Sequence, residues 1–369
     1  MALSPERHPC FNCDAAATRA RVHLPIAPEC NIQCNYCDRK SDCVNENRPG
    51  VTSAVLTPVE AAIYLDRVCA KAPNLTVAGI AGPGDPFADP ARTLDTLERI
   101  RAAHPDLLLC LSTNGLGLYP HIDRLAALGV SHVTLTVNAI DPNIGAKLYA
   151  WVQKDGRLLH GTEAARTLLA EQLRCIPKLK AAGLLVKINS ILIPGINDEH
   201  IPEVARKVKS LGADVMNVIP VLITEDAAFA GRTPPAPELI QTVRKQAAEH
   251  IAVMAHCRRC RADAVGLLGS DDAALHAELD GVVGERTWMR PDRPYVATAT
   301  QERLFVNGHL GEVRELHIRE SESFALRASS TSAFTRSMRA ETLQKSPRTN
   351  RHLAETETWR AARRSPVQK

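Results

Sequence analysis

Apolar positions along this chain follow two rhythms that alternate from about residue 57 to residue 250. Short, nearly continuous apolar runs predict strands at 75–82, 107–113, 132–138, 184–192 and 215–222, preceded by one at Val22–Pro28. Stretches with helical spacing predict helices at 57–70, 90–103, 120–128, 162–182, 200–211 and 236–250. The first helix is well marked: Thr57 caps it, Pro58 takes the first helical position, and Glu60 completes a capping box. Runs such as Leu107-Leu108-Leu109-Cys110-Leu111 suit strands covered on both faces, and their alternation with helices implies a parallel sheet with right-handed crossovers. About six β/α units follow, so the expected fold class is α/β, a partial (β/α)6 TIM-like barrel.

In such barrels chemistry collects at the C-terminal ends of the strands. Polar and glycine-rich segments fall there: Gly82-Pro83-Gly84-Asp85-Pro86, Ser112-Thr113-Asn114-Gly115, Asn138 and Asn189. Any one of them alone is ordinary loop chemistry; their recurrence at the same end is the signal. The chain has 369 residues, 45% hydrophobic and 23% charged, enough for one large core and a small second unit. No apolar run approaches the roughly 18 residues of a membrane span, and Met1-Ala-Leu-Ser-Pro-Glu-Arg7 lacks the apolar segment of a secretory signal, so a cytoplasmic location is expected. The formal charge of +4 is unevenly placed. Residues 321–369 carry ten Lys/Arg against four Asp/Glu, a net of +6, leaving 35 basic against 37 acidic residues elsewhere. A folded part at −2 argues against a nucleic-acid partner.

Eleven cysteines, grouped at Cys10/Cys13, Cys30 to Cys43 and Cys257/Cys260, suit metal ligation in a reducing compartment better than disulfides. In Cys30-Asn-Ile-Gln-Cys34-Asn-Tyr36-Cys37, three thiolates leave one iron of a cubane cluster without a protein ligand. That open iron offers a position for the amino and carboxylate groups of S-adenosylmethionine (SAM). The spacing resembles that of radical SAM enzymes, with Tyr36 before the last cysteine; the alternative is zinc, usually bound by paired Cys-x2-Cys units. His23 by itself reads as a core histidine and Cys110 as packing, whereas Cys257-Arg-Arg-Cys260 reads as a ligand pair.

Longer strings carry a closer resemblance. They are His8-Pro-Cys10, the cysteine triad with Asp38-Arg-Lys-Ser-Asp-Cys43-Val-Asn-Glu46, Ala78-Gly-Ile-Ala-Gly-Pro-Gly-Asp-Pro86 and Leu111-Ser-Thr-Asn-Gly115. Asn189-Ser-Ile-Leu-Ile-Pro-Gly-Ile-Asn-Asp-Glu-His200 and His256-Cys-Arg-Arg-Cys-Arg-Ala-Asp-Ala-Val-Gly266 complete the set. Over roughly residues 8–270 the chain resembles the NifB family of nitrogenase cofactor maturases. The resemblance implies a radical SAM barrel with three [4Fe-4S] clusters: a radical cluster on Cys30, Cys34 and Cys37, one substrate cluster on His23, Cys43 and Cys110, and another on Cys10, Cys257 and Cys260. It implies fusion of the two substrate clusters with a SAM-derived carbide and a ninth sulfide. Cys13, Cys69 and Cys175 stay unassigned. Tyr36, the backbone near Gly82 and Gly84, Thr113, Thr136, Asn138, Ile188 and Asn189 become candidates for holding SAM, from strand-end position and family similarity. The implied partners are a cluster donor, a low-potential electron donor (ferredoxin or flavodoxin) and the carrier or scaffold proteins NifX and NifEN.

The domain reading is 1–21 as a ligand-bearing N-terminal segment, 22–270 as the core and 271–292 as a linker. Arg293-Pro-Tyr-Val-Ala-Thr-Ala-Thr300 with Leu304-Phe-Val-Asn-Gly-His-Leu-Gly-Glu312 resembles the opening of a NifX-like carrier domain, expected at 293–320 and incomplete. Residues 321–369, rich in Ser, Thr and Arg without apolar periodicity, are expected to be a disordered tail. Two other classes stay open: a radical SAM enzyme of the molybdopterin-precursor kind, and a non-catalytic cluster scaffold.

Overall fold

The computed structural model describes residues 5–45, 47 and 50–284, together with three strands further on, Tyr295–Thr300, Glu315–Glu320 and Leu326–Thr331. Its strands in chain order are β1 Ala20–His23, β2 Ile32–Cys34, β3 Leu75–Ile80, β4 Leu108–Thr113, β5 Val130–Thr136, β6 Tyr149–Lys154, β7 Arg157–Leu159, β8 Leu185–Leu192 and β9 Val215–Pro220. Short strands β10 Ala252–Val253, β11 Val265–Leu267 and β12 Ser270–Asp271 follow, and the three C-terminal strands are β13, β14 and β15. The helices are α1 Cys13–Thr18, α2 Pro58–Lys71, α3 Pro90–Ala103, α4 Ile122–Ala127, α5 Pro142–Leu148, α6 Gly161–Ala181, α7 Ile201–Ser210, α8 Pro237–Ala248 and α9 Ala273–Gly284.

One sheet in the order β10-β9-β8-β5-β4-β3-β1-β11-β12 forms the wall of an open barrel. The run from β10 to β1 is parallel throughout; β11 closes on β1 antiparallel. Six long β/α units are therefore present, as the hydrophobic rhythm requires. Helices cover the outer face, where Val22, Ala78, Leu109, Val133, Leu135, Val186, Ile188, Met216 and Val218 join one large apolar core.

The strands are covered on both faces as expected, but the inner face differs in composition. Because side chains alternate across a strand, register lines up inward positions in rows. One row is His23, Gly79, Cys110 and His132, across β1, β3, β4 and β5. A second is Ser112, Thr134 and Lys187, and a third Thr136, Asn189 and Asn217. These inward rows carry polar side chains. Leu109, Leu111 and Val133 conceal this alternation in the sequence, since each polar position is flanked by aliphatic residues.

Several boundaries move. The first strand ends at His23 rather than continuing to residue 28, because Pro25 and Pro28 cannot donate to a ladder. An antiparallel sheet of β2, β6 and β7 holds the cysteine loop, with Ile32 opposite Val152 and Gln33 opposite Trp151. The signal for its hairpin was Asp155-Gly156, both at positive φ as a tight primed turn demands. The stretch 271–292, expected to be a linker, contains α9: Asp272 caps it by accepting from Ala274 N–H and Leu275 N–H, and Leu275, Leu279 and Val282 are buried, α9 packing on α2. Lys71 and Arg67 of α2 pair with Glu278.

The chain divides into compact units near residue 287. In the second, β13, β14 and β15 pair antiparallel, with Ala297 opposite Ile318 and Ile318 opposite Ala328. Thus Leu326–Thr331 is a strand within the stretch expected to be a disordered tail; backbone pairing needs only the weak alternation Leu326/Ala328. The remainder of that tail and of the NifX-like opening lies outside the described residues. Among the described residues no helix is long and apolar enough to cross a membrane.

Asp263 staples the end of the core together. Its carboxylate accepts from Ser53 N–H at 3.0 Å and pairs with Arg261 and His276. Burial pushes its pKa up, but these three partners outweigh burial and hold it below the ordinary value. A depressed folded pKa stabilises above the unfolded value of about 3.9 and the effect is lost as pH falls through the lower folded one. Asp263→Asn should therefore cost about 1–3 kcal/mol at neutral pH. Urea midpoints of variant and parent should converge under acid conditions.

Candidate functional site

The loop that follows β1 carries the cysteine triad, and its shape is fixed by contacts with two strand-end loops. Gly84 N–H donates to Ala27 O and Asp85 N–H to Glu29 O, both at 2.5 Å. A Cβ on Gly84 would stand well inside van der Waals contact of the Glu29 carbonyl, so only glycine permits this approach. The Asp85 carboxylate accepts from Thr113 Oγ1 at 2.9 Å and from Asn114 N–H at 2.6 Å, joining the loops after β3 and β4. Asn114 in turn donates to Asn31 Oδ1 at 2.7 Å and faces Cys30 Sγ at 3.8 Å.

Within the loop, Gln33 donates to the carbonyls of Cys34 and Cys37, and Arg39 to those of Cys30 and Ile32. The Arg39 guanidinium also lies over the Trp151 ring of the hairpin. The three thiols are mutual electrostatic neighbours, set against an apolar cluster that includes Ile32, Tyr36, Val44, Tyr149 and Ile191. Burial is the main reason the Cys30 thiol is pushed up to about 11 and the Cys34 thiol higher still. Such thiols ionise when a cationic iron centre replaces their protons.

Tyr36 is fully buried. Its hydroxyl donates to Asn45 Oδ1 and accepts from Asn138 Nδ2, each at 2.7 Å; Asn138 Oδ1 accepts from Ile191 N–H, and Asn189 Nδ2 reaches Asn45 O at 3.3 Å. The structure therefore joins the SAM candidates Tyr36, Asn138 and Asn189 in one network spanning the cysteine loop, β5 and β8. Thr113 sits on Asp85, and Thr136 faces inward at the end of β5 with its carbonyl accepting from Gln172. Ile188 does not join them: Lys187 and Asn189 face the interior, so the Ile188 side chain points into the outer core. Tyr36→Phe leaves the Asn45 and Asn138 amides short of a partner and should cost about 1–3 kcal/mol in denaturant unfolding.

Behind this layer a cavity opens between the inner rows. Its lining includes His8, Cys10, His23, Cys110, His132, Lys187, Asn217, Cys257 and Cys260. Gly79 makes the notch in which two of these converge: a Cβ there would meet Cys110 Sγ at 2.9 Å and His23 Cδ2 at 3.3 Å. His23 Nδ1 lies 2.8 Å from Arg261 O, an acceptor only, so Nδ1 carries the proton and Nε2 keeps its lone pair. Cys10, Cys257 and Cys260 form a second group, each within electrostatic reach of the others, and Arg21 donates to Cys260 Sγ at 3.3 Å. Burial, moderated by Lys187, pushes the Cys10 thiol to about 11.

Five of the six residues expected on the substrate clusters thus share one cavity. Cys43 is not among the lining residues; its thiol, raised by burial, interacts electrostatically with Cys30, Cys37 and Cys34. Among the described residues no three His, Cys, Asp or Glu side chains converge tightly enough for a single metal ion. A cubane does not need that, because each ligand binds a different iron. The cavity suits an ionic occupant: His8 Nε2, Ser112 Oγ, His132 Nε2 and both amide atoms of Asn217 are buried without a hydrogen-bond partner. Sequence reasoning missed Asp85, Asn45, Asn114, His8, His132, Lys187 and Asn217 as site residues. His8, Asn45, Asp85 and Asn114 stood in the recognised strings, and His132, Lys187 and Asn217 become visible only through register.

An open parallel barrel with a three-thiol loop at its C-terminal rim defines a radical SAM protein, and residues 24–208 match the Radical SAM superfamily model. The FeMo cofactor biosynthesis protein NifB of Chlorobaculum tepidum is 49% identical over 316 residues, covering 85% of this chain and 74% of that one. The protein of the same name from Bradyrhizobium diazoefficiens is 41% identical, covering 85% and 70%. That from Klebsiella pneumoniae is 46% identical over 76% of this chain, which spans 61% of its length. The chain belongs to the NifB family. Among solved structures, methylornithine synthase (PylB) superposes with a TM-score of 0.41 at 14% identity, over 73% of this chain and 86% of that one.

Proposed function

We propose that this protein acts in FeMo-cofactor biosynthesis, fusing two [4Fe-4S] substrate clusters with a SAM-derived carbide and a ninth sulfide into an eight-iron precursor. The observation that supports this is one cavity lined by His23, Cys110, Cys10, Cys257 and Cys260. Two sets of candidate ligands lining one cavity suit two clusters brought together better than one small organic substrate.

Cys30, Cys34 and Cys37 hold the radical cluster, which when bound supplies the electron for reductive SAM cleavage. The Tyr36, Asn45, Asn138 and Asn189 network and the Gly82 to Asp85 loop orient SAM at the rim. Asp85 fixes the loops after β3 and β4, and the apolar cluster around Tyr149 and Ile191 excludes water from the reacting methyl. His23 and Cys110 hold one substrate cluster, and Cys10, Cys257 and Cys260 the other. Three or fewer protein ligands per substrate cluster leave it exchangeable, as a substrate that departs in another form must be. Cys43 joins His23 and Cys110 on the family pattern. A cluster donor, a low-potential ferredoxin or flavodoxin and a carrier such as NifX or NifEN serve as partners.

The test is iron per chain after anaerobic reconstitution, with electron paramagnetic resonance before and after SAM. About twelve irons, with one signal perturbed by SAM, fit one radical cluster and two substrate clusters. About four irons would mean an ordinary single-cluster radical enzyme, and absence of SAM cleavage a scaffold.

A further inference from the structure

Arg21 is 1% exposed, a cation sealed inside the barrel beside a candidate ligand. It stands on β1 two residues before His23, so the pleat turns both side chains to the interior. A guanidinium is costly to bury unless its hydrogens find acceptors. The pairing of β1 with β11, Arg21 opposite Gly266, and of β11 with β12 brings those acceptors to it.

Nη1 donates to Gly266 O at 2.7 Å and to Leu267 O at 3.0 Å. Nη2 donates to Asp271 Oδ1 at 2.8 Å and to Cys260 Sγ at 3.3 Å. All four Nη hydrogens are thereby engaged. Gly266 lets the hairpin close at a φ of +115°, since a Cβ there would meet Ser270 O at 2.9 Å. The β11–β12 hairpin is thus a cradle that aims one guanidinium hydrogen at one sulfur, with Asp271 balancing the charge.

A hydrogen bond from a charged donor draws electron density from a cluster thiolate. It stabilises the reduced, more negative cluster more than the oxidised one, and so raises the reduction potential. We propose that Arg21 is a positioning residue that fixes Cys260 Sγ and raises the potential of the substrate cluster on Cys10, Cys257 and Cys260. The proposal rests on the two-substrate-cluster reading above. Histidine ligation raises the potential of the cluster on His23 and Cys110; the Arg21 bond does the same for a cluster held by thiolates alone. Two clusters that are to be joined are thereby brought closer in potential.

The test uses the full chain, reconstituted anaerobically and poised at a series of potentials, with each cluster followed by electron paramagnetic resonance. The cluster in question is the one whose signal disappears in Cys257→Ala; the signal perturbed by SAM marks the radical cluster. In Arg21→Met its reduced-to-oxidised ratio, read at the unmodified midpoint, should fall about tenfold, or about 59 mV for one electron. Asp271→Asn keeps the guanidinium on the two carbonyls and removes the opposing charge, so there the ratio should rise. The other signals should keep their midpoints in both variants. An unchanged or oppositely directed midpoint in either variant, or a common shift of all signals, overturns the proposal. Where Arg21→Met fails to fold, Asp271→Asn decides alone. Failure of the underlying reading is separate, since it shows in the unmodified chain as about four irons and a single signal.

Discussion

Cys34→Ala is expected to abolish SAM cleavage and to lower iron by about four atoms per chain, leaving about eight on the two substrate clusters. The thiol is buried on β2, within an apolar cluster and beside Tyr36 and Asn45, so no water or neighbouring side chain replaces it as an anionic ligand. Cys43 is a further thiol within electrostatic reach of the triad, so Cys34→Ala combined with Cys43→Ala should match the single variant. Iron assay and 5′-deoxyadenosine formation on the reconstituted variant measure both effects. Turnover above a trace, or iron unchanged, would show that the radical cluster is held elsewhere. The substrate-cluster signals should survive, because Cys10, His23, Cys110, Cys257 and Cys260 line a different cavity.

The second large effect is structural. Gly84→Ala places a methyl group against the Glu29 backbone carbonyl, where neither partner is a flexible side-chain end. The strand-like contact of the Gly82 to Asp85 loop with Ala27 and Glu29 must open, and with it the hydrogen bonds of Gly84 N–H and Asp85 N–H. The cost should be about 1–3 kcal/mol from overpacking, with a similar amount for each buried donor left unpaired. Because the displaced segment leads straight into Cys30, loss of the radical cluster should accompany destabilisation. Denaturant unfolding of the apo chain and iron content after reconstitution report the two consequences. By contrast Gly156→Ala, in the exposed hairpin turn where a Cβ meets nothing within 4 Å, should cost only the strain of its positive φ and leave cluster content unchanged.

Much of the fold was legible because its signals are local. Thr57, Pro58 and Glu60 form the capping box that their spacing announces, and α3 runs over Pro90–Ala103 as periodicity required. The cysteine triad was legible for the same reason, as three ligands of one cluster lie within a single loop. Other elements carried readable signals that were passed over. Asp155-Gly156 marked the hairpin that grips the cluster loop, and Leu275, Leu279 and Val282 after Asp272 marked α9.

The sequence by itself determined the succession of strands and helices, the helix caps, the triad and the family pattern. Each depends on residues a few positions apart, whose interactions exist whatever the distant chain does. Only the tertiary structure decided that His23, Gly79, Cys110 and His132 share one belt and that Ile188 turns away from the site. These facts follow from strand register, which is set by how the outer core of Leu109, Val133 and Val186 packs under its helices. A shift of one residue would have turned every inward ligand outward, and nothing within a single strand records which register its neighbour takes.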